Sequence, residues 1–219
     1  MDITHGNVYG GPNIGIYAVA CDGYLLVPSG FTPSKAQNLA DALQVPWHAV
    51  SVSGTRLSGA MSVHVKSKIL LPKTVLESEY DILSGVADVH IIDVRYTALG
   101  NLICANRRGA IVSPLLNSTE CRIIQDVLDV EVVRMGIAGM EQSGSLAKTN
   151  DVGTVVHPLA DEHEMRYISD VLHTRVEPST INNGVPYVAS GILANNKAIV
   201  VGGQTTGPEI MMLTRAFIG

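Results

Sequence analysis

The chain has 219 residues, 46% of them hydrophobic and 16% charged, a balance that excludes intrinsic disorder. Its formal net charge of −5 argues against binding driven by nucleic-acid phosphates, and no apolar run approaches the length of a membrane span. With aromatic residues at only 5%, the core has to be built from Val, Ile, Leu and Ala.

The N-terminal stretch MDITHGNVYGG has neither the basic region nor the apolar run of a signal peptide. Three cysteines, Cys21, Cys104 and Cys121, show no paired spacing, which points to a reduced, cytoplasmic protein with buried thiols. From residue 13 the chain repeats itself. NIGIYAVACDGYLLVP (13–28) is followed by LSGAMSVHVKSKILLP (57–72), ALGNLICANRRGAIVSP (98–114), QSGSLAKTNDVGTVVHP (142–158) and VASGILANNKAIVVGG (188–203). The third and fourth copies align without a gap at Gly100/Gly144, Leu102/Leu146, Asn106/Asn150, Gly109/Gly153, Val112/Val156 and Pro114/Pro158. Leading glycines at Gly15, Gly59, Gly100, Gly144 and Gly191 lie 44, 41, 44 and 47 residues apart. A period in this range signals repeats or a propeller-like closed array.

Each copy reads as a hairpin, two apolar runs flanking a short polar turn. A helix follows. In the first unit Thr32 and Pro33 open it, and Ala36, Leu39, Ala40 and Leu43 share one face. Later units carry capping pairs at Thr74/Glu77, Asn117/Glu120, Asp161/Glu164 and Thr206/Glu209. A third strand then returns at 47–52, 89–94, 130–135 and, more weakly, 174–178. The fifth unit runs out before its third strand, and ITHGNVY (3–9) is placed to fill that gap. The expectation is an α/β ring of five ββαβ units in a single domain, 1–219. The units run 13–55, 56–97, 98–139, 140–184 and 185–219, with 1–12 closing the ring.

Five equivalent glycines on such a ring fall at one end of its axis, where a backbone needs positive φ or close packing. Their neighbours are free to specify a partner: Asn13, Arg56, Leu57, Ser58, Leu99, Asn101, Gln142 and Ser143, with Ser145 and Ser190 beside them. The strand residues nearest the glycines, Ile16, Met61, Leu102, Leu146 and Ile192, are apolar, which argues against a nucleic-acid clamp around the axis. Lys66, Lys68, Arg107, Arg108 and Lys197 fall in the hairpin turns of units two, three and five, whereas the equivalent turns of units one and four carry Asp22 and Asp151. Such turns are ordinarily solvated; as a basic sector they would give a minor contact to rRNA.

No Walker loop, GxGxxG, CxxC, HExxH or GxSxG occurs, and the seven histidines are scattered, so neither a catalytic set nor a metal site is expected. Five-unit ββαβ rings also resemble enzymes that attack guanidinium carbons with a cysteine thiolate close to the C-terminus. Here no cysteine follows position 121, and an enzyme is not expected.

NIG (13–15), SGTRLSGAM (53–61), TALGN (97–101) and VHP (156–158), on the fivefold plan, resemble the translation initiation factor six family over residues 1–219, and the length resembles its archaeal members. That resemblance implies a pentein fold, a five-bladed β/α propeller, without cofactor or catalysis. It implies a monomer that binds the large ribosomal subunit, mainly universal ribosomal protein fourteen near the sarcin–ricin loop. Bound there, it would prevent subunit joining by occupying space, with a link to late large-subunit maturation. The family's ribosome-facing positions carry over to Gly15, Arg56 and Asn101, whereas a second family arginine falls on Ala60. The expected ribosome-binding set is Asn13, Gly15, Arg56, Leu57, Ser58, Leu99, Asn101, Gln142 and Ser143, with Arg56, Leu99 and Asn101 as anchors.

Overall fold

A computed structural model describes Met1–Gly219 and resolves five three-stranded sheets. Strand β1 (Asp2–Gly6) comes first. Unit one then runs through a one-turn helix α1 (Ile14–Tyr17), β2 (Val19–Ala20), β3 (Leu25–Val27), helix α2 (Pro33–Leu43) and β4 (Trp47–Ala49). Unit two repeats the series as α3 (Ser58–Met61), β5 (Val63–Val65), β6 (Lys68–Pro72), α4 (Glu77–Ser84) and β7 (Asp88–Ile92). Unit three is α5 (Leu99–Leu102), β8 (Ile103–Ala105), β9 (Gly109–Val112), α6 (Ser118–Leu128) and β10 (Glu131–Arg134). Unit four is α7 (Ser143–Leu146), β11 (Ala147–Thr149), β12 (Gly153–Val156), α8 (Glu162–Leu172) and β13 (Arg175–Pro178). Unit five has a 3₁₀ turn (Val188–Gly191), β14 (Ile192–Ala194), β15 (Ala198–Gly202) and α9 (Gly207–Phe217).

In every sheet the first two strands are antiparallel and the third lies parallel to the second, as in Ile103↔Val112 and Glu131↔Gly109. The fifth sheet takes its third strand from the other end of the chain. β1 pairs in parallel with β15, from Asp2↔Ala198 to Gly6↔Gly202. The N-terminal segment thus fills the place that the sequence leaves vacant, and no sheet lacks its third strand.

The core lies between neighbouring units. One cluster joins Ile14, Leu25, Val27, Leu39 and Leu43 of unit one to Leu193 and Val200 of unit five. Another joins Val63, Val65 and Leu70 of unit two to Leu102, Ile103, Ile124 and Leu128 of unit three. Each such Leu or Ile contributes about 1.5–3 kcal/mol of burial. On α2 the buried face is Ala36, Leu39, Ala40 and Leu43, as the helical spacing requires.

The caps hold with one correction. Asn117 and Asp161 make reciprocal boxes with Glu120 and Glu164, and the Thr206 amide donates to Glu209 at 2.7 Å. In unit two the carboxylate that caps the helix is Glu79, not Glu77; it accepts from the Leu76 amide at 3.0 Å. Thr74 is spent elsewhere, its hydroxyl 2.8 Å from that of Ser53.

The leading glycines need a second correction. Each unit opens on a one-turn helix, and its second residue is Gly15, Gly59, Gly100, Gly144 or, in unit five, Ala189. A Cβ on Gly59 would overlap the Gly15 carbonyl oxygen. One on Gly100 would overlap that of Gly59, one on Gly144 that of Gly100, and one on Gly15 that of Ala189. Gly191 lies outside this chain of contacts and faces the side chains of Ile181 and Asn182. The ring glycines are therefore there for backbone-on-backbone packing. Positive φ occurs at other glycines, among them Gly10, Gly54, Gly139 and Gly184.

Candidate interaction face and axial cavity

The second and third strands of each unit finish at the end of the ring where the one-turn helices sit. Four of the turns after third strands, Val8–Gly11, Val52–Thr55, Ile137–Met140 and Ile181–Val185, are closed by a bridge. Each has left-handed residues at its tip; Tyr9–Gly10, Ser53–Gly54 and Ala138–Gly139 have the backbone of a type I′ turn, and the longer fourth turn has three, Asn182, Asn183 and Gly184. A carboxylate from the following unit's helix staples the tip. Glu79 accepts from the Ser53 and Gly54 amides at 2.7 and 2.8 Å, and Glu209 accepts from those of Asn183 and Gly184 at 3.1 and 2.9 Å. Glu164 does the same for Ala138 at 2.9 Å. Unit one has no such acid, and Phe31 holds the Tyr9 turn by an edge-to-face contact at 5.6 Å. Burial would raise the Glu209 carboxyl, but hydrogen bonds from Thr206, Gly184, Thr180 and Asn183 outweigh it and bring the pKa down to about 2.

On this braced end Asn13, Arg56, Leu57 and Gln142 are exposed, and Gly15 and Asn101 are half-buried. The other three expected contacts are not at the surface. Ser58, Leu99 and Ser143 are the first residues of their one-turn helices, each 0% exposed. Ser58 donates to the Val50 carbonyl at 3.1 Å, Ser143 to that of Met135 at 2.6 Å, and Leu99 belongs to an inter-unit core. They support the face from beneath. Ala60, where the resemblance implies a second arginine, is buried as well.

Sequence reasoning missed Tyr9 and Tyr187. The Arg56 guanidinium lies over the Tyr9 ring at 5.3 Å, and Tyr9 also meets Tyr17 edge-on at 5.5 Å. Tyr187, 46% exposed, occupies in unit five the position taken by Asn13, Leu57 and Gln142 elsewhere. Aligning unit five on Ala189 would have revealed it. Its ring meets that of His157 at 6.4 Å, beside Leu159, the most exposed large apolar residue at 76%.

A cavity of about 500 Å³ runs along the axis. Of the apolar residues expected there only Ile16 lines it; Met61, Leu102, Leu146 and Ile192 point into the cores between sheets. Its lining instead includes His64, Cys21, Cys104, Lys148 and Asn101. At the end opposite the glycine ring the hairpin turns converge. Arg107 bridges Asp22 at 2.7 Å and Asp151 at 3.1 Å, and the Asn196 side-chain amide donates to both carboxylates. The other cations of these turns cap neighbouring units: Lys68 donates to the Val127 carbonyl, Arg108 to that of His173, and Lys197 to that of Gln44. Four of the five basic residues thus have partners within the chain, and Lys66 alone makes no such contact.

Residues 3–216 match the eIF-6 family. The chain belongs to that family. Relatives named translation initiation factor 6 share 56% identity over 220 residues in Nitrosopumilus maritimus and 52% over 221 in Cenarchaeum symbiosum, each over the full length of both chains. One from Pyrococcus furiosus shares 43% over 212 residues, 94% of this chain and 93% of that one. Two solved structures share the fold of this eIF-6 family chain at 10% identity. The substrate-bound N-terminal domain of ArgZ, an arginine dihydrolase, gives a TM-score of 0.51 over 82% of this chain and 73% of its own. A dimethylarginine dimethylaminohydrolase adduct with S-methyl-L-thiocitrulline gives 0.50 over 76% and 68%. At that identity the likeness extends to the pentein architecture alone. The thiols of this chain are poor nucleophiles. Burial pushes Cys21 and Cys104 up to about 12 and raises Cys121, so all three stay protonated at neutral pH.

Proposed function

We propose that this protein is a translation factor that binds the large ribosomal subunit with its glycine-ring end and keeps the small subunit away by occupying space. The reading rests on full-length similarity to proteins named translation initiation factor 6. The observation that carries its mechanism is the braced end of the ring. There one-turn helices pack backbone on backbone, acids staple the turns, and Arg56, Leu57, Tyr9, Tyr187 and Leu159 stand out of an otherwise polar rim. A rigid face docks with little loss of conformational entropy, and a standard interface of about 1,600 Å² fits one end of a ring this size.

The partner in this reading is a protein surface, universal ribosomal protein fourteen near the sarcin–ricin loop, and the factor acts as a monomer in the cytoplasm without catalysis. A role in late large-subunit maturation follows if binding precedes the first round of joining. The intramolecular commitments of Lys68, Arg107, Arg108 and Lys197 favour protein over rRNA as the main contact. Sedimentation of purified archaeal subunits tests the proposal. The protein is expected to travel with the large subunit and to shift joined ribosomes toward free subunits in proportion to its occupancy. Travel with the small subunit, or binding that leaves joining unchanged, would overturn it.

A further inference from the structure

We propose that the axial cavity is a binding site for one small anion, a carboxylate or an inorganic oxyanion, held by the ammonium group of Lys148. The site is independent of the ribosome-binding reading.

Lys148 stands on β11 and lines the cavity together with Cys21, His64 and Cys104. The polar groups around it are committed to one another. Ser62 donates to the Ser58 carbonyl at 2.6 Å, so its oxygen is left to accept from His64 Nε2 at 2.7 Å. His64 Nδ1 then accepts from the Tyr24 hydroxyl at 2.8 Å. This fixes a neutral imidazole, and burial holds its pKa down at about 3. Thr149 is tied to Thr154 at 2.7 Å, and Asn150 donates to the Asn195 carbonyl at 2.9 Å. The acids on the cavity wall, Asp22 and Asp151, are both taken by Arg107 and Asn196.

Lys148 is half-buried and has neither a hydrogen-bond nor an ion-pair partner within the chain. An amine without a counter-ion beside apolar strand residues is costly to charge, and burial pushes its pKa down. A single anion beside it removes that cost, and a cavity of about 500 Å³ has room for one. At the glycine-ring rim Asn101 adds a side-chain amide without a partner in the chain. The cavity volume limits the ligand to small species.

Equilibrium dialysis with radiolabelled acetate and, separately, radiolabelled inorganic phosphate tests this on the intact chain and on Lys148→Met. The wild type is expected to take up about one equivalent of at least one probe saturably, and Lys148→Met to bind it about tenfold more weakly or worse. Uptake of acetate alone assigns a carboxylate; uptake of phosphate alone assigns an oxyanion. A second measurement avoids reliance on the variant's folding. Carbamylation of wild-type Lys148 by cyanate, followed by peptide mass mapping, is expected to slow about tenfold under a saturating probe, while exposed Lys35, outside the cavity, reacts unchanged. No saturable uptake of either probe by the wild type, or equal uptake by folded Lys148→Met, would overturn the site. So would carbamylation of Lys148 that is indifferent to both probes.

Discussion

The side-chain amide of Asn106 crosses from unit three to unit four, donating to the Asn150 carbonyl at 3.1 Å and to the Leu172 carbonyl at the end of α8 at 2.9 Å. Asn150 reaches in turn to the Asn195 carbonyl at 2.9 Å, and Asn195 to those of Cys21 and Leu43 at 3.2 and 2.9 Å. Each Asn oxygen meanwhile accepts from its own hairpin turn, as Asn106 does from Arg108 and Gly109. The repeated Asn of units three, four and five is thus a rivet between neighbours, at the end of the ring opposite the glycines. Units one and two carry Cys21 and Val65 at that place and lack it.

Replacing a rivet should loosen one seam. Asn106→Ala leaves buried carbonyls and two turn amides without partners, at an expected cost of about 2–4 kcal/mol. Urea unfolding followed by circular dichroism measures it. A loss below about 0.5 kcal/mol would mean that water replaces the amide freely.

The glycine ring makes a sharper demand. Gly100→Ala drives a methyl into the Gly59 carbonyl, where backbone cannot yield, and is expected to cost about 3 kcal/mol or more, or to prevent folding. Ala189→Gly, at the equivalent position of unit five, is expected to cost only about 0.5–1 kcal/mol through backbone entropy. Comparable midpoints for the two variants would refute the shared register.

Acid stability has two limbs of different origin. His64 has its pKa held at about 3 in the fold against 6.5 when free, so the unfolded chain binds the extra proton and stability falls as pH drops from about 6.5 toward 3. Glu209 is depressed from 4.5 to about 2, so its contribution is present above pH 4.5 and is lost as pH falls toward 2, amounting to at most about 3 kcal/mol. Unfolding midpoints as a function of pH should show His64→Gln flattening the limb between 6.5 and 4.5. Glu209→Gln should flatten only the lower one.

The fold was legible in the sequence because every unit repeats strong local signals: paired apolar runs, Asn117 and Asp161 as caps, and a third strand of β-branched residues. Closure was legible because unit five lacks a strand and residues 3–9 offer one. The one-turn helices were not. A single turn has no periodicity to detect, and it sends consecutive residues to opposite environments, so exposed Leu57 and buried Ser58 look alike in sequence. Unit five misled because an alanine stands at its ring position and a glycine happens to follow two residues later. Lys148 gave no sign either, since one lysine in a short strand reads as a solvated edge until the ring closes around it.

The buried and exposed members of the face separate docking from folding. Leu99→Ala removes core packing between units two and three and is expected to cost about 2–5 kcal/mol, with no direct loss of contact area. Tyr187→Ala and the pair Arg56→Ala plus Asn101→Ala touch little of the core, so their midpoints should move by about 1 kcal/mol or less. If this end is the docking surface, they should weaken co-sedimentation with the large subunit at least tenfold, as truncated aromatic and arginine anchors do. Leu99→Ala, assayed at a temperature where it remains folded, should bind nearly as the wild type does. Because the basic turns are occupied within the chain, binding should also lose little between low and moderate salt. Unimpaired binding by both surface variants, or a steep salt dependence, would move the docking surface away from the glycine ring and toward Lys66 and its neighbours.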